Sequence, residues 1–345
     1  MSEPLFLHAS GAEVGKVAPL CVPGSLGAIY TVPGGRARDE RAGQIVREHR
    51  EQGVLGSSFL LDAARYGGAG RVGADAALTP QWLAQQWDRG LEWAMTDSGY
   101  VDRDRVDQLD ALFDSAVAMR KQAPVGAKFF LQVPADSQWV SKRADEVRER
   151  VDRYQIPVAY MFGSSGDPLE TRASVQGLLH LLGSPVPSAL VRADHAALGA
   201  LAGGAVLGAM GTSSGRRHIY TSAGRGRRVP GLFSVLLPEG LSFHRSDTLA
   251  RAIGSSPEQS YWRCHHCSRC EGARLDDIVD PTAAFIHSIE SLQDLAAGVL
   301  ASGEASTAMA SWKAKCRSAQ FIHTDIAVNL KWDYPKSLKA WTTGS

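Results

Sequence analysis

The sequence predicts a parallel α/β fold, a (β/α)8 TIM-like barrel with a zinc-binding subdomain toward its C-terminal end. Three observations carry this reading. Short apolar runs of strand length alternate with amphipathic stretches from about residue 55 to 240. Polar residues recur where those runs end. Three cysteines then fall within seven residues, Cys264, Cys267 and Cys270. The expected organisation is a barrel with an N-terminal extension over 1–254, then a metal subdomain and a basic tail over 255–345.

The apolar runs are SSFLLD (57–62), EWAMTD (92–97), KFFLQV (128–133), PVAYMF (157–162), SALVRAD (188–194), AVLGAM (205–210) and LFSVLL (232–237). Each suits a buried strand, and an eighth is expected near GAIYTVP (27–33). Between them, apolar residues at helical spacing predict helices over 103–121 and 136–154. Thr79-Pro80 and Asp167-Pro168 read as helix starts, with a capping residue before a first-turn proline.

Charge is balanced, with 37 basic and 36 acidic residues, so the chain as a whole does not advertise a polyanionic partner. Local patches do exist. Residues 215–229 hold Arg216, Arg217, Arg225, Arg227 and Arg228 without an acid, and six Lys or Arg follow Ser311 against two Asp. Such patches suit a phosphate backbone or an ordinary solvated surface. No stretch reaches the roughly 18 apolar residues of a membrane span, and MSEPLFLHASGAEVGK lacks a signal-peptide pattern. A cytoplasmic protein without a membrane partner is therefore expected.

In parallel α/β folds the chemistry gathers at the C-terminal ends of strands. Here those ends carry Asp62, Asp97, Gln132, Gly163 and Asp194. Several carboxylates and a carboxamide at one mouth suit a ligand rich in donors and acceptors, such as a purine edge; singly, each is as readily a helix cap. The metal reading is stronger. Closely spaced thiolates are soft ligands that reach one tetrahedral ion, and His287, on the helix-like PTAAFIHSIESLQDLAAGVL, completes a Cys3His zinc set. His265 and His266 compete as ligands, and an iron–sulfur cluster using Cys316 is the main rival. His195 and His218 could shuttle protons at the mouth, although packing is the commoner role. Trp82, Trp87 and Trp93 read as packing residues, and Cys21 as inert.

A barrel followed by clustered cysteines and then a helical histidine resembles the tRNA-guanine transglycosylase (queuine/archaeosine tRNA-ribosyltransferase) family, over about residues 50–300. The resemblance runs through LLDAARYGG (60–68), WAMTDSG (93–99), KFFLQV (128–133) and VAYMFG (158–163). The family's usual metal pattern is C-x-C-x2-C, whereas this chain has C-x2-C-x2-C; starting from His265 would restore the family spacing. The resemblance implies base exchange or recognition of guanine or a 7-deazaguanine in tRNA or DNA, in a homo- or heterodimer. It implies that Asp62 is the barrel-mouth carboxylate and that Asp97 and Gln132 select the base, with Gln132 donating to it. It further implies a pocket lined near Phe162 and Gly163, with Arg216 and Arg217 holding phosphates. One departure stands out. The family's later strand supplies the Asp that attacks the ribose, but residues 201–220 contain no Asp or Glu. Either Asp62 or Asp194 acts as nucleophile, or the chain is a catalytically silent partner subunit. A barrel enzyme acting on a small purine-like metabolite is a third reading.

Overall fold

The computed structural model describes residues 3–35, 37–68, 70–221, 231–328 and 330–343, and divides the chain into two compact units, Met1–Ala223 and Gly224–Ser345. In the first unit eight parallel strands form a nearly closed barrel: β1 (Leu5–Ser10), β2 (Leu26–Thr31), β3 (Phe59–Asp62), β4 (Trp93–Met95), β5 (Lys128–Asp136), β6 (Val158–Ser164), β7 (Ser188–Ala193) and β8 (Leu207–Gly211). The short β9 (Ile219–Tyr220) pairs with β6. Helices α1 (Val14–Val17), α2 (Arg38–Gln52), α3 (Pro80–Asp88), α4 (Val106–Gln122), α5 (Gln138–Ser141), α6 (Ala144–Tyr154), α7 (Arg172–Leu182) and α8 (Ala196–Ala202) occupy the connections.

The barrel is filled by alternate residues of its strands, as period-two geometry requires. Phe6, Ile29, Leu60, Met95, Phe130, Ala159, Met161, Ala189, Val191, Leu207 and Ala209 form one buried cluster. Two steps further along three of these strands lie His8, Asp62 and Gln132, all fully buried. The hydrophobic stack thus gives way to polar side chains at the C-terminal mouth.

The ladder runs β3-β2-β1-β8-β7-β6-β5-β4, which leaves β3 and β4 unpaired with each other. At that seam a side chain stands in for a strand. Gln86 of α3 donates through Nε2 to the Met95 carbonyl at 3.0 Å and accepts from the Met95 amide at 3.1 Å. The Trp82 indole donates to the same carbonyl at 2.8 Å. Exposed strand edges carry unsatisfied backbone groups, and here a carboxamide meets both.

Six of the predicted runs and the GAIYTVP segment hold barrel strands, while LFSVLL does not. It contains β10 (Ser234–Leu237), which pairs antiparallel with β11 (Ser242–Arg245) in the second unit. The missing barrel strand is LFLHAS, near the N-terminus, which pairs with both β2 and β8. Three apolar residues followed by a histidine give a weak strand signal, and only pairing on both sides makes the segment central. Thr79-Pro80 starts α3 as expected, whereas Asp167-Pro168 does not start a helix. Asp167 accepts from the Leu169 amide at 2.8 Å in a local turn, and α7 begins after Thr171, whose hydroxyl caps the Ser174 amide. The 136–154 helix is broken into α5 and α6 at Lys142 and Arg143. Gly177 of α7 lies so close to α5 that a Cβ there would sit 1.7 Å from the Val140 carbonyl oxygen, so α7 packs on α5 through bare backbone.

The second unit adds α9 (Ser246–Ser255), α10 (Pro281–Leu300), α11 (Ala305–Ala327) and α12 (Ser337–Thr342). Its core joins Val235 and Leu237 of the hairpin and Leu249, Ala252 and Ile253 of α9 to Trp262, Cys264, Cys270, Leu275 and Trp332. The border therefore lies near 223/224 and not at 254, because β10 and α9 bury apolar residues in one core with the cysteine segment, and β11 pairs with β10. The expected basic tail is largely helical: Lys313, Lys315 and Arg317 lie on α11, and Lys339 lies on α12. Among the described residues no helix is long and apolar enough to cross a membrane.

Candidate functional site

Two polar clusters merit separate construction, and the first is the barrel mouth. Asp62, the last residue of β3, is fully buried and its carboxylate takes four hydrogen bonds. Oδ1 accepts from the Ala64 amide at 2.9 Å and from Gln132 Nε2 at 3.0 Å. Oδ2 accepts from His8 Nε2 at 3.0 Å and from the Tyr66 hydroxyl at 2.5 Å. Arg192 in turn donates through Nη1 to the Tyr66 oxygen at 3.2 Å, its guanidinium 5.4 Å from that ring. Burial alone would raise the Asp62 pKa. The hydrogen bond from His8, the charge of Arg192 and the Tyr66 hydroxyl overcome that penalty and hold the carboxyl well below its usual range.

This charge state fixes its neighbours. An ionised carboxylate only accepts, so His8 carries its proton on Nε2 and Gln132 turns its amide nitrogen inward. Burial lowers the His8 pKa against the pull of Asp62, and Arg192 and Arg216 push the same way. The imidazole is therefore neutral. Its Nδ1 and the Gln132 Oε1 are both buried without a hydrogen-bond partner. The amide of Gln132, expected to donate to a ligand, is spent on Asp62, and the group left over is an acceptor.

Arg192 reaches the mouth through a local irregularity. It follows Leu190 where the pairing of β7 with β8 shifts register, and its φ of 53° lies in the left-handed region. A bulge with a non-glycine residue in that region costs on the order of 1–3 kcal/mol and redirects one side chain. Here it turns a guanidinium toward Tyr66.

The other expected residues are placed differently. Asp97 is fully buried, but its oxygens are taken by Arg65 Nη1 at 2.7 Å, the Thr79 hydroxyl at 2.6 Å and the Thr79 amide at 2.9 Å. It ties the start of α3 to the loop after β3, and its hydrogen bonds go to Arg65 and Thr79 rather than to Gln132. Asp194 accepts from the Ala196 amide at 2.9 Å at the start of α8. Phe162, Asp194, Arg192, Arg217 and His218 line a cavity of about 20 Å³, room for one water but not for a base. Burial pushes the Arg217 guanidinium down to about 10 against the pull of Asp194, leaving it charged at neutral pH. Arg216 donates to Ser213 at 3.1 Å and lies 3.6 Å from Glu13. Arg225, Arg227 and Arg228 lie outside the described residues. Gly163 abuts Tyr100: a Cβ there would come 2.3 Å from the phenol oxygen, which is itself buried and unpartnered. Trp82, Trp87 and Trp93 pack as expected, with Trp93 stacked on Phe130 at 4.6 Å.

The missing carboxylate of 201–220 leaves no gap behind. Gly211, the next interior position after Ala209 on β8, is covered by the backbone of Arg216, which a Cβ would approach to 2.3 Å. A side chain at that position would displace the loop.

The second cluster is a group of residues that could hold a metal ion. Sγ of Cys264, Cys267 and Cys270 and a ring nitrogen of His287 all lie within 4.8 Å of one another. Cys264 and Cys267 sulfurs are 3.5 Å apart, and His287 Nδ1 is 3.5 and 3.4 Å from the sulfurs of Cys267 and Cys270. A tetrahedral zinc ion with Zn–S near 2.3 Å would separate its sulfur ligands by about 3.8 Å, so the set fits such an ion with small adjustments. The chain positions it deliberately. The cysteines sit in a hairpin closed by Cys264 N–H to Ala273 O at 3.0 Å, Gly272 N–H to Cys264 O at 2.9 Å and Ala273 N–H to Cys270 O at 2.8 Å. Asp280 caps α10 by accepting from the Thr282 and Ala283 amides, with Pro281 in its first turn. His287 then donates through Nε2 to the Leu236 carbonyl at 2.8 Å, which turns the Nδ1 lone pair toward the sulfurs.

The competing ligands fall away. His265 is exposed, and His266 spends its two nitrogens on Asp294 at 2.6 Å and Glu239 at 2.9 Å. Cys316 is buried on α11 and is no part of the cluster. The first ligand is thus Cys264, and the C-x2-C-x2-C spacing stands.

Sequence reasoning missed His8, Tyr66 and Arg192. His8 carried the same signal as Asp62, a polar residue at the interior end of a strand, and was lost with the strand. The bulge at Arg192 has no sequence signature. No protein-family model and no curated protein matches the chain.

Proposed function

We propose that this chain recognises guanine, or a 7-deazaguanine, in a nucleic acid at the barrel mouth, in the manner of a transglycosylase whose exchange nucleophile is absent. The observation that carries the reading is the set of buried acceptors left around Asp62. Gln132 Oε1 and His8 Nδ1, on the two side chains whose other nitrogen-bearing groups donate to that carboxylate, lack partners. Leaving a buried polar group unpaired costs about 1–3 kcal/mol, so such groups favour a ligand that brings N–H donors. A guanine edge with its ring N–H and exocyclic amine supplies two. Arg192 and Arg216 provide cationic character near the same carboxylate. The phosphate-holding role of Arg216 and Arg217 belongs to this reading; Arg217, deeply buried beside Asp194, fits it less well than Arg216.

Recognition is favoured over exchange for a specific reason. A carboxylate with all four acceptor positions filled and its pKa held low is a poor nucleophile and a poor base. Asp194 accepts from the Ala196 amide in the turn before α8, and Gly211 has no room for a side chain. The metal proposed for the Cys3His set is zinc, in a structural role: its four protein ligands leave no open position for substrate.

The test pairs equilibrium binding of guanine and 7-deazaguanine with incorporation of the labelled bases into bulk tRNA and duplex DNA. Binding without incorporation is expected, with Gln132→Ala weakening affinity about tenfold. Incorporation by this chain alone would establish exchange instead. Binding of neither base, with incorporation into neither polymer, would sink both readings.

A further inference from the structure

The geometry points to His8 as the ligand-facing acceptor of the mouth, with Asp62 as its positioning residue. Asp62 fixes the imidazole as the Nε2–H tautomer and so leaves Nδ1 an unshared lone pair. This deepens the reading above and rests on it only for the identity of the ligand.

The argument begins with the register of β1. Leu5 and Leu7 are buried, Phe6 joins the barrel-filling cluster, and His8 stands two residues on, on the same interior face. Its Nε2–H lies 3.0 Å from Asp62 Oδ2 and 3.2 Å from the Thr31 hydroxyl, so the polar ends of β1, β2 and β3 meet at one nitrogen. The groups facing this imidazole from its surroundings are the carboxylate of Asp62 and the guanidinium groups of Arg192 and Arg216. The two cations oppose a second positive charge, and burial opposes any charge, which keeps the ring neutral. A neutral imidazole oriented by a carboxylate has one nitrogen committed and one available. The available one, Nδ1, is buried and has no protein partner. Asp62 has the opposite character, since each of its acceptor positions is filled from within the protein. Of the pair, only His8 has capacity for a hydrogen bond from a ligand.

The two nitrogens are separable by mutation. In His8→Gln the side-chain amide reaches about as far as Nε2 and can still donate to Asp62, while the Nδ1 acceptor is gone. His8→Ala removes both.

Long-range proton–nitrogen spectra of protein labelled with nitrogen-15 histidine, assigned by difference with His8→Gln, read the tautomer directly. Near neutral pH the expected spectrum shows Nε2 protonated and Nδ1 bare, and Asp62→Asn should weaken that preference. A protonated Nδ1 in the wild-type protein would overturn the inference whatever the ligand proves to be. Guanine is then titrated into the same sample. Movement of the Nδ1 resonance to saturation is expected, with His8→Gln binding guanine about tenfold more weakly at an unchanged unfolding midpoint. Guanine saturating the Gln132 side-chain resonances while Nδ1 stays in place, or binding His8→Gln at full affinity, would overturn the inference and leave the functional reading standing. Absence of guanine binding would defeat that reading, and the tautomer measurement would then decide the dyad by itself.

Discussion

The barrel mouth and the cysteine hairpin are both buried polar clusters, yet they differ in what they leave unfilled. Around the Cys3His set every element turns a lone pair inward. The hairpin presents three sulfurs, and the Leu236 carbonyl takes the His287 Nε2 proton so that Nδ1 faces them. These four atoms converge on one point, with the spacing and softness that suit a metal ion. At the mouth the centre is already occupied by a carboxylate, Asp62, and the unfilled capacity lies on its neighbours His8 and Gln132. One cluster converges on a common point; the other is centred on a protein carboxylate and carries its spare acceptors on the neighbouring side chains. A buried polar residue is therefore informative only once its partners are counted.

The largest expected effect separates the two clusters by metal removal. Metal binding to structural sites of this type carries about 10–16 kcal/mol of apparent free energy that is also folding free energy. Chelation, or Cys270→Ser, should collapse amide protection in the second unit, including the core around Trp262 and Trp332. Protection in the barrel strands should persist. Hydrogen exchange read segment by segment checks this, and retention of protection in the cysteine segment without metal would break the comparison.

Next comes the carboxylate at the mouth. Asp62→Ala strands the donors of His8, Gln132, Tyr66 and the Ala64 amide, and removing one partner of a buried charged network costs about 3–5 kcal/mol. Asp62→Asn retains one acceptor oxygen and should cost clearly less. Denaturant midpoints with unchanged slopes would measure both. A neutral effect for the alanine variant would mean that the four hydrogen bonds contribute little and that Asp62 is free for chemistry.

The smallest effect is a pH dependence in the barrel remote from the mouth. His49 is buried between the Tyr30 hydroxyl, 2.9 Å from Nδ1, and the Ser57 hydroxyl, 3.1 Å from Nε2. Burial pushes its pKa from 6.5 down to about 4. The unfolded chain therefore takes up a proton that the folded one refuses. This contribution to stability is fully present above pH 6.5 and is lost as pH falls toward 4, about 3 kcal/mol in all. Urea midpoints across that window should decline less steeply in His49→Gln. An unaltered slope would assign the acid sensitivity to other groups, with His244 of the second unit, pushed down to about 3, the first to examine.

Much of the fold was legible because burial leaves a periodic trace. Runs such as KFFLQV and PVAYMF are apolar on both faces, as strands covered by helices must be, and Gln132 stands out against its run. The Cys3His ligands were legible for a different reason, since sulfur spacing within one hairpin is local. LFSVLL and LFLHAS show the limit. The first reads as a barrel strand and the second is not among the runs, and what assigns one to a hairpin and the other to the barrel is the partner each finds at a distance.

The sequence by itself determined an α/β barrel, the cysteine cluster with its helical histidine, and Asp62 and Gln132 as mouth residues. These follow from composition and short-range period. Only the tertiary structure decided that Asp97 is bound by Arg65 and Thr79, that Asp62 is saturated, and that His8 and Arg192 stand beside it. Whether a polar group is satisfied depends on donors far away in the chain: His8 lies 54 residues and Gln132 lies 70 residues from the carboxylate they share. Hydrogen bonding is a property of pairs, and the sequence shows only their members.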